Sequence, residues 1–200
     1  MRKINVNLWG IALLVFVNLN CVNTKGKNTT MRDNSEEKLY LDLGKNIAAS
    51  TQAVLGKNLM IAMAKGGPEY ALEFCNSKAI PLTDSMAIEH KTAIKRVSDK
   101  ARNPLNEANK LEKSIIVSIK EQLNKGDTPK PEIREVKGKM VAYYPIVTNA
   151  MCLQCHGKVN ETVQQKTFEK INDFYPNDKA TGYTVNQLRG LWVVEMQKTK

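Results

Sequence analysis

Two cysteines and a histidine fall within five consecutive positions of a chain that holds four cysteines and two histidines in 200 residues. They form the run Met151-Cys152-Leu153-Gln154-Cys155-His156-Gly157. C-x-x-C-H is the attachment signature of c-type haem. Two thiols three residues apart sit on one tight helical turn, so each can form a thioether with one of the two haem vinyl groups. The imidazole that follows is then aimed at the iron from the same side. Gly157 leaves the chain room to turn away beneath the ring. The spacing predicts one covalent haem c, with Cys152 and Cys155 as the thioether positions and His156 as the proximal axial ligand.

Two other chemistries use the same residue types. A thioredoxin-like redox pair would need a βαβ pattern around Cys152 and Cys155, and none is present. A structural zinc site could recruit Cys75, Cys152, Cys155 and His156. Adjacent ligands such as Cys155 and His156 fit poorly around one tetrahedral ion, and the remaining ligand would be a lone cysteine.

On the opposite side of the iron the residues leave a choice. Cys75 is the odd cysteine once Cys21 and the motif pair are assigned, and an unassigned cysteine in an exported chain calls for an explanation. It lies on the apolar face of a short helix. It reads equally as a small buried hydrophobe. His90, in the polar stretch Ile88-Glu89-His90-Lys91, reads as a surface histidine. Met60, Met63, Met86, Met140 and Met151 read as core filler. A methionine ligand would raise the potential of the iron, and a thiolate would lower it.

The N-terminus reads as an address. Arg2 and Lys3 precede an apolar stretch from Leu8 to Val17, too short to span a bilayer as a mature helix. Residues 1–20 read as a signal peptide, and Cys21 stands where a lipoprotein would be cut and acylated. The preceding Asn18-Leu19-Asn20 is an irregular lipobox, and simple cleavage to a soluble periplasmic protein is the alternative. Export agrees independently with covalent haem, which is normally attached outside the cytoplasm. Residues 21–35, polar and rich in Asn, Thr and Lys, read as a flexible tether. The remaining 36–198 amount to one domain.

Within that domain the periodicity predicts a helix from Asn34 or Ser35 to before Gly66-Gly67, through Leu39, Leu43, Ile47, Val54 and Leu55. A short helix from Pro68 to about Lys78 follows, broken by Ile80-Pro81. Residues 92–98 suit a strand. Asn103-Pro104 starts a helical segment, with Leu111, Ile115, Ile119 and Leu123 spaced by fours and Gly126 closing it. Glu132–Val136 and Met140–Val147 form a hairpin about Lys137-Gly138-Lys139, with Pro145 at an edge or bulge. A last strand covers Leu191–Met196. Helices first and antiparallel strands later predict an α+β domain.

Several blocks resemble the single-haem, PAS-like c-type sensor domains, a family known as a stand-alone cyanobacterial protein and as modules fused ahead of bacterial signalling domains. Ala71-Leu72-Glu73-Phe74-Cys75-Asn76 is similar to the family's helix with a distal cysteine. Arg96-Val97-Ser98 and Arg102-Asn103-Pro104-Leu105-Asn106 resemble its strand and following turn. Tyr143-Tyr144-Pro145-Ile146 precedes the haem motif as in the family. Tyr175-Pro176, Ala180-Thr181-Gly182-Tyr183 and Arg189-Gly190 resemble its closing loop and last strand. Asn186-Gln187 departs from a glycine-containing turn, although asparagine tolerates the left-handed conformation. The resemblance implies His156 and Cys75 as axial ligands, and a PAS-like antiparallel sheet with packed helices and a long N-terminal helix.

The formal charge is +10, or about +8 once Arg2 and Lys3 are removed with the leader. Scattered lysines in an exported chain argue against a nucleic-acid partner, and the excess suits an anionic partner or lipid headgroups. Arg96, Arg102 and Arg189 are candidates for the haem propionates. The expected role is a redox or gas sensor, with Cys75 displaced by nitric oxide or carbon monoxide and a redox or signalling protein reading the change. A periplasmic electron carrier is the alternative. An enzyme would need an open iron site and a distal acid or base, and His90 is the only spare histidine, so a non-enzymatic role is expected.

Overall fold

The computed structural model describes residues 25–198. The expected leader and the acylation position Cys21 lie outside the described residues. The chain runs through α1 (Lys25–Glu89), β1 (Ala93–Val97), α2 (Lys110–Asn124), β2 (Glu132–Val136), β3 (Lys139–Val147), α3 (Leu153–His156), α4 (Gln165–Phe174) and β4 (Leu188–Gln197). This is an α+β fold with a four-stranded antiparallel sheet in the order β1-β4-β3-β2.

Helix α1 differs from the expectation at two places, its start and its end. It begins at Lys25, so helix occupies most of the stretch read as a flexible tether. The break at Gly66-Gly67 is present as expected: both glycines leave the helical region, Gly67 at φ 68°, and Pro68 opens a second helical half of α1. The second half then passes through Pro81 and ends at Glu89 rather than near Lys78. Pro81 cannot bond the Ser77 carbonyl. Both residues are exposed, so solvent can reach the freed carbonyl. The helix closes with Thr92 N donating to Ala87 O (3.0 Å) and Lys91 N to Ile88 O (3.1 Å). Lys91 holds the left-handed position, φ 50°, that glycine usually fills in this type of cap.

Both faces of the sheet are covered, which is why its central strands are apolar on both sides. In β4, Trp192, Val194 and Met196 join Tyr40, Ile47 and Leu55 of α1. The alternate residues Leu191 and Val193 join Ile115, Ile116 and Ile119 of α2. Helix α2 starts at its own capping box, with Asn109 accepting from Glu112 N (3.0 Å) and Glu112 accepting from Asn109 N (2.8 Å). Asn103 caps instead a separate 3-10 turn, Pro104–Asn106. The hairpin between β2 and β3 turns at Lys137 and Gly138, both with positive φ. Pro145 sits on the interior strand β3, paired with Leu191. Strand β2 begins opposite Tyr143, so Pro145 has no β2 residue across from it, and a register shift follows at Ile146/Val147.

A third, smaller core docks the half of α1 after the kink onto α4. Leu72, Val163 and Ile171 are its buried members, with Phe168 and Phe174 beside them. Thr167 also hydrogen-bonds Glu69, and Lys170 pairs with Glu73 at 2.9 Å. Helix α4 has no counterpart among the expected elements, although Val163, Thr167, Ile171 and Phe174 keep a spacing of three and four. Its packing ties the segment bearing Cys75 to the chain that follows the cysteine motif.

Candidate functional site

The motif is built on one continuous turn. Asn149 precedes it and accepts from Met151 N (3.0 Å) and Cys152 N (3.2 Å), and the 3-10 turn Ala150–Cys152 runs directly into α3. The preceding Thr148 is clasped by the loop before β4. Its hydroxyl donates to Thr184 O (2.6 Å) and accepts from Gln187 N (2.9 Å). Asn186 in that loop adopts φ 64°, so the turn expected to contain glycine survives with asparagine. At the other end, a Cβ on Gly157 would overlap Thr162 Oγ1 and the Leu153 carbonyl. Glycine is required here for space.

His156 is half-buried, and its Nδ1 lies 2.7 Å from Ala180 O. A carbonyl can only accept, so Nδ1 carries the proton and Nε2 keeps its lone pair. Burial first, then the cations Arg189 and Arg102, hold this imidazole well below the usual histidine range. It is therefore neutral and a competent metal ligand at neutral pH. Cys152 and Cys155 are both unbridged. Burial pushes the Cys155 thiol up to about 11.

Cys75 is half-buried and unbridged. Burial raises its thiol, opposed by Arg96 and Arg102. These same two arginines act on His156, and Cys75 acts on Cys155. Cys75 of α1 thus lies within electrostatic reach of Cys155 and shares Arg96 and Arg102 with His156. Among the described residues, no three His, Cys, Asp or Glu side chains gather to hold a metal ion. The tetrahedral set weighed for zinc is not formed.

The three arginines have different surroundings. Arg102 is spent on protein partners. It pairs with Asp178 at 2.9 Å and donates to Cys155 O at 2.6 Å. Arg189 donates to Ser98 Oγ (2.9 Å) and Lys100 O (3.1 Å), while its buried Nε finds no partner. Arg96 stacks over Trp192, 5.4 Å from the ring. Tyr183 meets the His156 ring edge-on at 6.4 Å, and its buried hydroxyl also lacks a partner. Sequence reasoning passed over Asp178, whose importance appears only through its contact with Arg102.

His90 is not at this site. It is half-buried rather than on the surface, with Nε2 2.7 Å from Ser50 Oγ. Met86 and Met140 are core residues as expected, whereas Met60 and Met151 are exposed.

The family model described as Tll0287-like matches residues 22–197. The chain belongs to the Tll0287-like family. The resemblance read from the sequence is to this same family. The crystal structure of the cyanobacterial heme-protein Tll0287 superposes with a TM-score of 0.55 at 20% identity, covering 80% of this chain and 96% of that one. At that identity the superposition establishes the shared fold. No curated protein matches the chain.

Proposed function

We propose that this chain is an exported, non-enzymatic carrier of one covalent haem c that acts as a redox- or gas-responsive sensor module. Cys152 and Cys155 would hold the thioethers, His156 the proximal iron position and Cys75 the distal one. The observation that carries the reading is the His156–Ala180 hydrogen bond. It leaves Nε2 unprotonated on the same turn as two unbridged thiols. The donor set fits the group: two thiols for vinyl carbons, a neutral imidazole for iron and arginines for carboxylates. Membership of the Tll0287-like family, and a fold shared with a crystallised cyanobacterial heme-protein, support it further.

When bound, the haem would supply an iron that changes oxidation state and takes up small diatomic ligands. The chain's own residues set the terms. His156 presents a fixed nitrogen. Cys75 stands between two influences, burial favouring the thiol and Arg96 with Arg102 favouring the thiolate. A thiolate stabilises ferric iron, and a neutral thiol is a weak, displaceable ligand. Loss of Cys75 from the iron would act on the second half of α1, which packs against α4 and the sheet. A redox or signalling protein would read that change. The leader and Cys21 favour a periplasmic or membrane-anchored location.

Absorption spectra of the ferrous protein with and without carbon monoxide test this. The sensor reading predicts ready displacement of the distal ligand. A six-coordinate iron that ignores carbon monoxide would assign the protein to electron transfer instead.

A further inference from the structure

The carbonyl that orients His156 is itself held by a buried ion pair. Arg102 Nε donates to Asp178 Oδ1 at 2.9 Å, and Arg102 Nη2 reaches Oδ2 at 3.4 Å. The two side chains are only 10% and 4% exposed. Asp178 Oδ1 also accepts from Ala180 N at 3.1 Å. Arg102 Nη2 donates to Cys155 O at 2.6 Å and lies 3.5 Å from Ala180 O. One guanidinium therefore touches the last turn of the cysteine motif, the carboxylate that fixes the Ala180 peptide, and the carbonyl that receives the His156 proton.

We infer that Arg102 and Asp178 are the positioning pair for His156. They lock the Ala180 carbonyl against the α3 turn, so that the imidazole keeps one tautomer and one ring plane. The inference rests on the haem reading above and replaces the propionate role considered for Arg102. A buried pair that served stability alone would be a poor investment, because apolar residues of the same volume often stabilise as well. The planar fork of arginine is what lets one side chain bridge Asp178 and Cys155 O together. A lysine ammonium, a point charge on a flexible stem, cannot reproduce that geometry.

The test uses the full-length, haem-loaded protein and two variants that keep the charge but break the bridge, Arg102→Lys and Asp178→Glu. Each loosens the Nδ1–H to Ala180 bond, which makes the imidazole a poorer donor to ferric iron. The expected results are a higher midpoint potential in both, altered ferric EPR g-values, and His156 Nδ1–H exchange faster by about tenfold, the loss of one ordinary hydrogen bond. Folded variants with wild-type potential, g-values and exchange would overturn the inference, even if their melting temperatures fell. If neither variant folds, the wild type decides: a protected Nδ1–H supports the pair, and an unprotected one overturns it. Should the purified wild type carry no haem, the functional reading fails by itself. The positioning claim is then read from the His156 tautomer by nitrogen-15 NMR, where Nδ1–H supports it and Nε2–H overturns it.

Discussion

The imidazole of His156 and the carbonyl of Ala180 meet at 2.7 Å across 24 residues of sequence. The chain between them leaves the α3 turn, forms α4 and returns. Two backbone bonds hold the return: Gly182 N donates to Gly157 O (2.8 Å) and Tyr183 N to His156 O (2.9 Å). The backbone thus closes a loop on this side of His156, and the histidine is oriented by a segment that the C-x-x-C-H spacing does not contain.

That loop can close only because Gly157 has no side chain. Gly157→Ala should destabilise the protein by ~1–3 kcal/mol, as overpacking typically does. Adding Thr162→Ala should recover only part of the loss, since the Leu153 carbonyl still meets the new Cβ. Denaturant unfolding of the single and double variants measures both.

If Cys75 is the distal ligand proposed above, Cys75→Ala should leave haem attachment at Cys152 and Cys155 unchanged and alter the spectrum. Removing a thiolate should raise the midpoint potential by on the order of 0.1 V, a fraction of the roughly 0.8 V spanned by axial-ligand choice. A redox titration monitored by absorbance checks it. An unchanged spectrum and potential would remove Cys75 from the iron.

Stability should fall at high pH. Burial raises Tyr143 and Tyr144, and raises Tyr175 to about 12, with Cys75 adding to the last. A phenol with a folded value above its unfolded value near 10 contributes fully below that pH and loses its contribution as pH rises towards the folded value. Tyr175 is only 7% exposed. Its share of the loss between about pH 10 and 12 is roughly 2–3 kcal/mol. Unfolding free energies across this range should decline less in Tyr175→Phe than in the wild type.

The loop that clasps Thr148 depends on a left-handed residue. With Asn186 at φ 64°, Asn186→Gly should be within about 0.5 kcal/mol of the wild type. Asn186→Val should cost about 1–2 kcal/mol, because a β-branched residue resists that conformation. Thermal melts of the two variants separate the cases.

Local signals were legible in the sequence and tertiary ones were not. The hairpin at Lys137-Gly138 and the apolar fours of α2 were read directly, because turn chemistry and periodicity are written within a few residues. Cys152, Cys155 and His156 stand out because they lie within five positions, and the structure sets them on one continuous turn. Pro81 misled because a proline weakens a helix without ending it when the freed carbonyl faces water. The stretch after Cys21 misled because its polar composition suits a tether as well as a helix. Helix α4 was missed because two charged pairs and a small core stabilise it against α1 rather than a long apolar stripe of its own. Arg102 was noticed for its charge, yet its partners lie at 155, 178 and 180. No local pattern joins positions so far apart.

The mass of the intact chain, purified after expression beside a working cytochrome c maturation system, decides whether haem is covalently attached. The expected value is that of the processed polypeptide plus one haem, with colour that survives acidified acetone. A colourless chain at the polypeptide mass alone, under conditions where a control cytochrome matures, would contradict it.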